Sequence, residues 1–305
     1  PARWGEETLE LLESLFREQG VEAGTLYIVG TPIGNIADMS IRALAVLQQV
    51  DYVLAEDTRT SGLMLQHFAI KPKYLSYHKF NEQQRLQEVK ELLLEGKSLA
   101  LISDAGMPGI SDPGQGVIDM ALTEGLPLKL VPGPTAFASA AAISGMEIDD
   151  LRFLGFLPLK GKRRENILEG MKSSTSHFVF YEAPHRVEKT LEDFRLLGYG
   201  QRQLFVAREL TKTYEELLRG TVNALLEHFQ TYKPRGEFVL ILGPSSEEEL
   251  SMGVQRDYQA IEERIKDMLA EEASAKDILQ VLGPVTNLPK NTLKSLIQRL
   301  KNEIS

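Results

Sequence analysis

Residues 25–59, TLYIVGTPIGNIADMSIRALAVLQQVDYVLAEDTR, hold one complete strand–helix–strand step. Leu26 to Val29 is a short apolar strand that Gly30 ends. Residues 40–50 read as a helix, with Ser40 as its cap. DYVLAEDTR is the next strand, and its exit carries Glu56, Asp57 and Arg59. Working outward, LLLEGKSLALISDAG is a helix end, a turn at Gly96 and a strand from Ser98 to Ile102. GQGVIDMALTEG is a helix, and PLKLVPGPTAFASAAAISG is a strand, a tight turn and a small-residue helix. Strands alternate with helices through residue 145, the pattern of a mostly parallel sheet covered on both faces.

The rhythm breaks in EIDDLRFLGFLPLKGKRREN, which sets a domain boundary near 145–155. The expected organisation is an N-terminal helical extension over 1–23, a first α/β domain over 24–148 and a second over 149–245. A C-terminal helical region over 253–305 follows. In the extension, Leu9, Leu12 and Phe16 share one helix face. The second domain has strands HFVFYEA, QLFVAREL and GEFVLILG but fewer crossover helices, so some antiparallel pairing is expected. Ser245 to Met252, with its Glu triplet, reads as a linker. Helices near 255–272, 274–282 and 291–302 follow, the last two with the rhythm of a small helix-turn-helix-like unit, whose balanced charge favours a packed helical hairpin over an independent nucleic-acid binder.

The chain has 305 residues, 43% of them hydrophobic and 25% charged, as in an ordinary soluble protein. No apolar run is long enough to span a bilayer, and the acidic N-terminus lacks the form of a signal peptide. The absence of cysteine removes disulfides and thiolate chemistry and fits a reducing, cytoplasmic compartment. The net charge of −9 argues against a broad nucleic-acid surface. A local patch is the exception: residues 158–172, PLKGKRRENILEGMK, carry five basic and two acidic residues.

Ligands of an open parallel sheet sit beyond the C-terminal ends of its strands. Four exits are rich in Gly and Pro: GTPIGN at 30–35, SDAGMPGISDPG at 103–114, PGPTA at 132–136 and RGE at 235–237. GTPIGN is no dinucleotide fingerprint, because Pro32 stands where the middle glycine belongs, and no phosphate loop, because GK[ST] is missing. SDAGMPGISDPG packs two aspartates, three glycines, two prolines and two serines into twelve residues, a shaped backbone suited to a flat ligand. Asp104 is placed to face a cation or accept from a hydroxyl, and Asp112 to shape a turn or cap the next helix. SYHKFNEQQR adds His78 and Asn81, and YEAPHR adds His185, expected to order its turn. The histidines form no HExxH or HxxxH pattern, so no metal site is expected.

Together these stretches, with FLPLKGKRR, VARELTKTYEELLRG and PRGEFVLILG, resemble the tetrapyrrole-methylase superfamily over residues 24–243. AEDTR, SDAG-P-ISDPG and YE-PHR resemble the subgroup that methylates a cytidine ribose 2′-oxygen of bacterial 16S ribosomal RNA, and separate it from porphyrin-pathway relatives. The resemblance implies two αβα domains with a cofactor cleft between them, a homodimer, S-adenosylmethionine as donor and the small ribosomal subunit as acceptor. It implies donor contacts from Pro32, Asp104, Ala105, Gly106, Ile110, Ser111, Thr135, Ala136, Tyr181, Ala207 and Gly236. Glu56, Asp57, Arg59, His78 and Asn81 would line the acceptor side, and Lys160, Lys162, Arg163 and Arg164 would meet RNA backbone. Asp57 and His78 are the first candidates to accept the hydroxyl proton, Asp104 is another, and Arg59 and Asn81 would position. Two other readings compete: a methylase of a tetrapyrrole or other small acceptor, and a non-catalytic ribosome-assembly factor.

Overall fold

The computed structural model describes residues 5–172, 174–245, 261–270, 273–282 and 290–304. The chain divides into two compact units, Pro1–Arg164 with Ser176–Gly243, and Glu165–Thr175 with Pro244–Ser305.

The first unit opens with helix α1 (Glu6–Arg17), on which Leu12 and Phe16 are partly buried and Leu9 lies outside the described side chains. Five parallel strands follow, β1 (Leu26–Val29), β2 (Tyr52–Ala55), β3 (Tyr74–Ser76), β4 (Leu99–Ile102) and β5 (Leu128–Val131), in the order β3-β2-β4-β1-β5. β1 and β4 are buried along their whole length, which is why they read as unbroken apolar runs. Helices α2 (Ile41–Gln49), α3 (Thr58–Gln66), α4 (Glu82–Leu94) and α5 (Gln115–Thr123) connect them, and α6 (Ala136–Ile143) leads on to the second sheet. Ser40 caps α2 by accepting from the Ala43 N–H at 3.0 Å. One sheet face packs Val46, Leu47 and Leu65, and the other Val89, Leu93 and Val117. The chain leaves β2 toward β3 and leaves its neighbour β4 toward β5, so the exits of these adjacent strands diverge and open a crevice.

The second sheet has the order β6-β7-β10-β8-β9, from β6 (Leu151–Phe156), β7 (His177–Glu182), β8 (Gln203–Arg208), β9 (Glu216–Thr221) and β10 (Phe238–Leu242). β6 and β7 are parallel, and β10 runs antiparallel to both β7 and β8, the mixed pairing expected from the sparse crossovers. Helices α8 (Pro184–Leu196) and α9 (Val222–Thr231) are packed together in this half of the unit. The opposite sheet face receives α6, whose small side chains let Ala140 and Ala141 approach Val179, Phe205 and Ile241. A register shift in β6 between Phe153 and Phe156 bends that strand, and Gly155 takes a φ of +62° there.

The second unit gathers helix α7 residues after Arg164 (α7, Lys162–Gly170) with the C-terminal helices at 261–270, Ala275–Leu282 and Lys290–Ile304. Ile265, Ile278, Leu293 and Ile297 are buried in one cluster. Ser274 and Asp277 form a reciprocal cap on the middle helix, with Ser274 Oγ donating to Asp277 Oδ2 at 2.6 Å. The stretch expected as a linker lies outside the described residues except for Ser245, as does the first part of the helix expected over 255–272.

Candidate active site

The β1 and β4 exits are locked together by backbone. The Thr31 N–H donates to Gly106 O at 2.9 Å and the Gly106 N–H returns a bond to Thr31 O at 3.2 Å. Gly30 lies back to back with Gly133, and a Cβ on Gly30 would stand 2.6 Å from Gly133 Cα. Only glycine permits that approach between the β1 and β5 exits. Gly106 takes a φ of +86° and Ser111 a φ of +65°, so the loop between them runs through conformations that L side chains rarely adopt.

These constraints shape a cavity of about 370 Å³. Ala105, Gly106, Ile110 and Ser111 line it from the β4 exit, and Thr135 and Ala136 from the start of α6. Tyr181, Ala207 and Gly236 line it from the second sheet, so nine of the sequence-named donor contacts share one space. Tyr181 pairs with Val239 on β10, and Val239 pairs with Ala207, which makes these three one row across the sheet. Pro32 and Asp104 are not in the lining; the neighbouring Ile33 and the later Asp112 are. Phe156, which the β6 bulge presents, contacts Tyr181 edge-on at 5.5 Å and forms part of the wall. Leu210, Phe238 and Val239 complete an apolar side that sequence reading assigned to plain strand interior.

Asp112 does not cap the next helix, one of the two roles expected of it. Helix α5 is capped by Gly114 with no side-chain bond, while Asp112 lines the cavity. Burial, then the charge of Glu56, pushes the Asp112 carboxyl up to about 6. Partial desolvation also raises Glu56, with Asp104 adding to it, and raises Asp104. Three carboxyls with raised proton affinity therefore meet at the exits of β2 and β4. Among the described residues no group of His, Asp and Glu forms a metal-ligand set.

The other acceptor-side residues sit at the exits of β2 and β3, strands adjacent in the sheet. Asp57 caps α3 and is held by Arg59: its Oδ1 accepts from the Arg59 backbone N–H at 2.9 Å, and its Oδ2 from Nη2 at 3.0 Å. These bonds lower its carboxyl to about 2, which makes it a poor proton acceptor near neutral pH. The Asp57 N–H in turn donates to Asp104 Oδ1 at 3.3 Å. Asn81 is committed to its turn, accepting from the His78 N–H at 2.8 Å and donating to Ser76 O at 3.0 Å. His78 Nδ1 is buried without a hydrogen-bond partner among the described residues.

Two expectations are overturned. His185 is exposed; the YEAPHR turn is ordered by buried Glu182, which pairs with Arg186 Nε at 3.0 Å and accepts from Thr190 Oγ1 at 2.7 Å. Arg164 does not belong to a solvent-facing cluster. It is 7% exposed, with Nη2 at 2.8 Å from Asp193 and Nη1 donating to Pro158 O at 2.9 Å. Lys160, Lys162 and Arg163 remain exposed.

Comparison with known proteins adds the context. The family model for tetrapyrrole (corrin/porphyrin) methylases matches residues 25–226. The chain is 45% identical over 219 residues to ribosomal RNA small subunit methyltransferase I of Thermotoga maritima, covering 72% of this chain and 98% of that one. It is 37% identical over 279 residues to the protein of that name from Halalkalibacterium halodurans, covering 92% and 96%. In fold it is similar to a cobalt precorrin-4 methyltransferase, with a TM-score of 0.53 and 20% identity over 72% of this chain and 95% of that one. It is likewise similar to a Thermus thermophilus uroporphyrin-III C-methyltransferase complexed with S-adenosylhomocysteine, with a TM-score of 0.53 and 16% identity over 72% and 97%.

Proposed function

The chain belongs to the tetrapyrrole methylase family, and from that premise we propose that it methylates ribosomal RNA of the small subunit with S-adenosylmethionine as donor. The acceptor we propose is the ribose 2′-hydroxyl of a cytidine in the assembled subunit, which puts the work in the cytoplasm. We also read the chain as a homodimer, a reading that light scattering tests. The observation that carries the proposal is the cavity itself, with apolar walls, Asp112 with its raised carboxyl in the lining, and raised-affinity carboxyls at the neighbouring strand exits. Its form fits the donor: Phe156, Ile110 and Val239 suit a flat heterocycle, and Asp112 offsets a positive charge. S-adenosylmethionine supplies an electrophilic methyl on a positively charged sulfur. Asp104, beside the cleft and oriented by the Asp57 N–H, is the group we assign to take the hydroxyl proton. Asp57 then acts as a positioning residue that fixes Arg59 and Asp104.

Incubating the purified protein with methyl-labelled donor and either small subunits, naked 16S RNA or a porphyrinogen tests the proposal. Label on RNA in the subunit arm is expected. Label confined to the tetrapyrrole would replace this reading with small-molecule methylation. No transfer, together with tight subunit binding, would favour an assembly factor.

The raised Asp112 carboxyl has a pH consequence. In the free protein its contribution to stability is complete below its ordinary value and is lost as pH rises through about 6. A bound cation favours the carboxylate, so donor affinity should rise roughly tenfold from about pH 5 to pH 7 and then level off. Calorimetry in buffers of different ionisation enthalpy should detect proton release at pH 5.5 and none at pH 8. Asp112→Asn should flatten the profile; an unchanged profile in that variant assigns the effect to another group.

The exposed basic residues predict a salt effect. Replacing Lys160 and Lys162 by Gln should weaken subunit binding, lower the log–log salt slope by about 2, and spare donor binding. Arg164→Ala should instead destabilise the fold by about 1–3 kcal/mol, because it leaves Pro158 O and Thr190 Oγ1 without their guanidinium partner while Lys189 still pairs with Asp193. Equal salt slopes in wild type and the Lys double variant would remove this patch from the interface.

A further inference from the structure

Phe80 is 93% exposed, the highest value among the exposed large apolar side chains of the described residues. Its surroundings are ordered. The turn carrying it closes with the Asn81 N–H donating to His78 O at 2.9 Å and with both polar atoms of the Asn81 side chain engaged. Tyr77 is 1% exposed, and its hydroxyl donates to Glu82 Oε1 at 2.9 Å. That same oxygen accepts from the Gly116 N–H at 3.0 Å, tying the turn to α5. An aromatic ring is thus held in solvent on a rigid turn, where burial would stabilise it and exposure does not.

The ring stands beside the acceptor-side residues. Its centroid lies 6.1 Å from that of His78 in an edge contact, and His78 interacts electrostatically with Glu56. Exposed Lys79 precedes it. A single aromatic between Lys79 and Asn81 is not an apolar patch of the kind that buries another protein or enters a lipid surface. A flat π-face next to a cation is the pairing that unstacked nucleobases and their phosphates recognise.

We propose that Phe80 is a stacking platform for an unpaired base of the RNA acceptor, with Lys79 meeting the adjoining phosphate. The proposal rests on the ribosomal RNA reading above and names the contact by which a single-stranded segment is held at the carboxyl end of the first sheet.

Steady-state methylation of small subunits by wild type, Phe80→Ala and Phe80→Trp tests it, with donor affinity measured separately. Phe80→Ala should raise KM for subunits on the order of 10-fold with kcat and donor affinity kept, the range one base–aromatic stack supports. Phe80→Trp should stay near wild type. Combined with Trp4→Phe, the Phe80→Trp variant carries the one indole of the chain, and its emission should be quenched when subunits bind. Wild-type activity with an unchanged KM in Phe80→Ala overturns the stacking role and leaves the function standing. An unquenched indole in an active enzyme does the same. A wild-type enzyme that transfers no label to subunit RNA overturns both.

Discussion

Gly106→Val is expected to weaken donor binding by about 100-fold while leaving most of the sheet intact. Gly106 joins the β4 exit to the β1 exit through two backbone bonds with Thr31, and its carbonyl also accepts from Thr31 Oγ1 at 3.3 Å and Ser103 Oγ at 3.2 Å. A new Cβ would meet Ile33 Cγ2 at 3.4 Å and Pro134 O at 3.5 Å, so crowding is tolerable. The effect comes from the backbone: a φ of +86° is an outlier for any β-branched residue. Holding valine there costs on the order of 1–3 kcal/mol. The free protein escapes that strain by letting the loop swing off Thr31, and the donor must restore it, which at about 1.4 kcal/mol per tenfold reaches roughly 100-fold. Gly125→Ala is the matched control. Its φ is +66°, but it lies in the turn after α5 with no atom of the described residues within 4 Å of the added Cβ. That variant should lose some stability and no affinity. Calorimetry showing wild-type affinity in Gly106→Val would move the donor site away from this loop.

Asp104→Asn should cut the single-turnover methylation rate about 10²–10⁴-fold at saturating donor and subunits, the usual contribution of a positioned base. The amide keeps the shape and still accepts from the Asp57 N–H, but it cannot take a proton. Asp57→Asn should cost less than about tenfold in the same assay, because the native carboxyl is already held at about 2 by Arg59. Asparagine caps a helix as well as aspartate, so α3 should keep its cap and lose only the ion pair with Arg59. If Asp57→Asn and Asp104→Asn lost rate equally, Asp57 would return as the proton acceptor. A full rate in both would leave catalysis to alignment of the bound partners.

The contrast between these two carboxyls shows where sequence reading succeeds and where it stops. LYIV and LALI were legible because both faces of each strand are buried, so no polar residue interrupts them. β3 was not, since YLS is three half-buried residues at a sheet edge. β9 was missed for a related reason: ELLRGT alternates partly buried and exposed at the other edge and carries Arg219 and Gly220. The β6 bulge hid Phe156, because the shift in register breaks the two-residue period. In the cleft, the loop residues were named from glycine and proline, whereas Leu210 and Val239 looked like any core residues. Arg164 shared its neighbours' charge but not their exposure, and its partner Asp193 lies on a different helix. Asp57 and Asp104 are alike in sequence; the Arg59 clamp and the partial burial that separate them exist only in the fold.

In the proposed reaction the methyl group reaches a ribose oxygen of small-subunit RNA. Small subunits lacking the modification are incubated with methyl-labelled donor, and the recovered 16S RNA is hydrolysed in alkali. A 2′-O-methyl blocks cleavage at its own phosphate, so the account predicts label in one alkali-resistant dinucleotide with cytidine on its 5′ side. Label in an ordinary mononucleotide, methylated on the base, would contradict it.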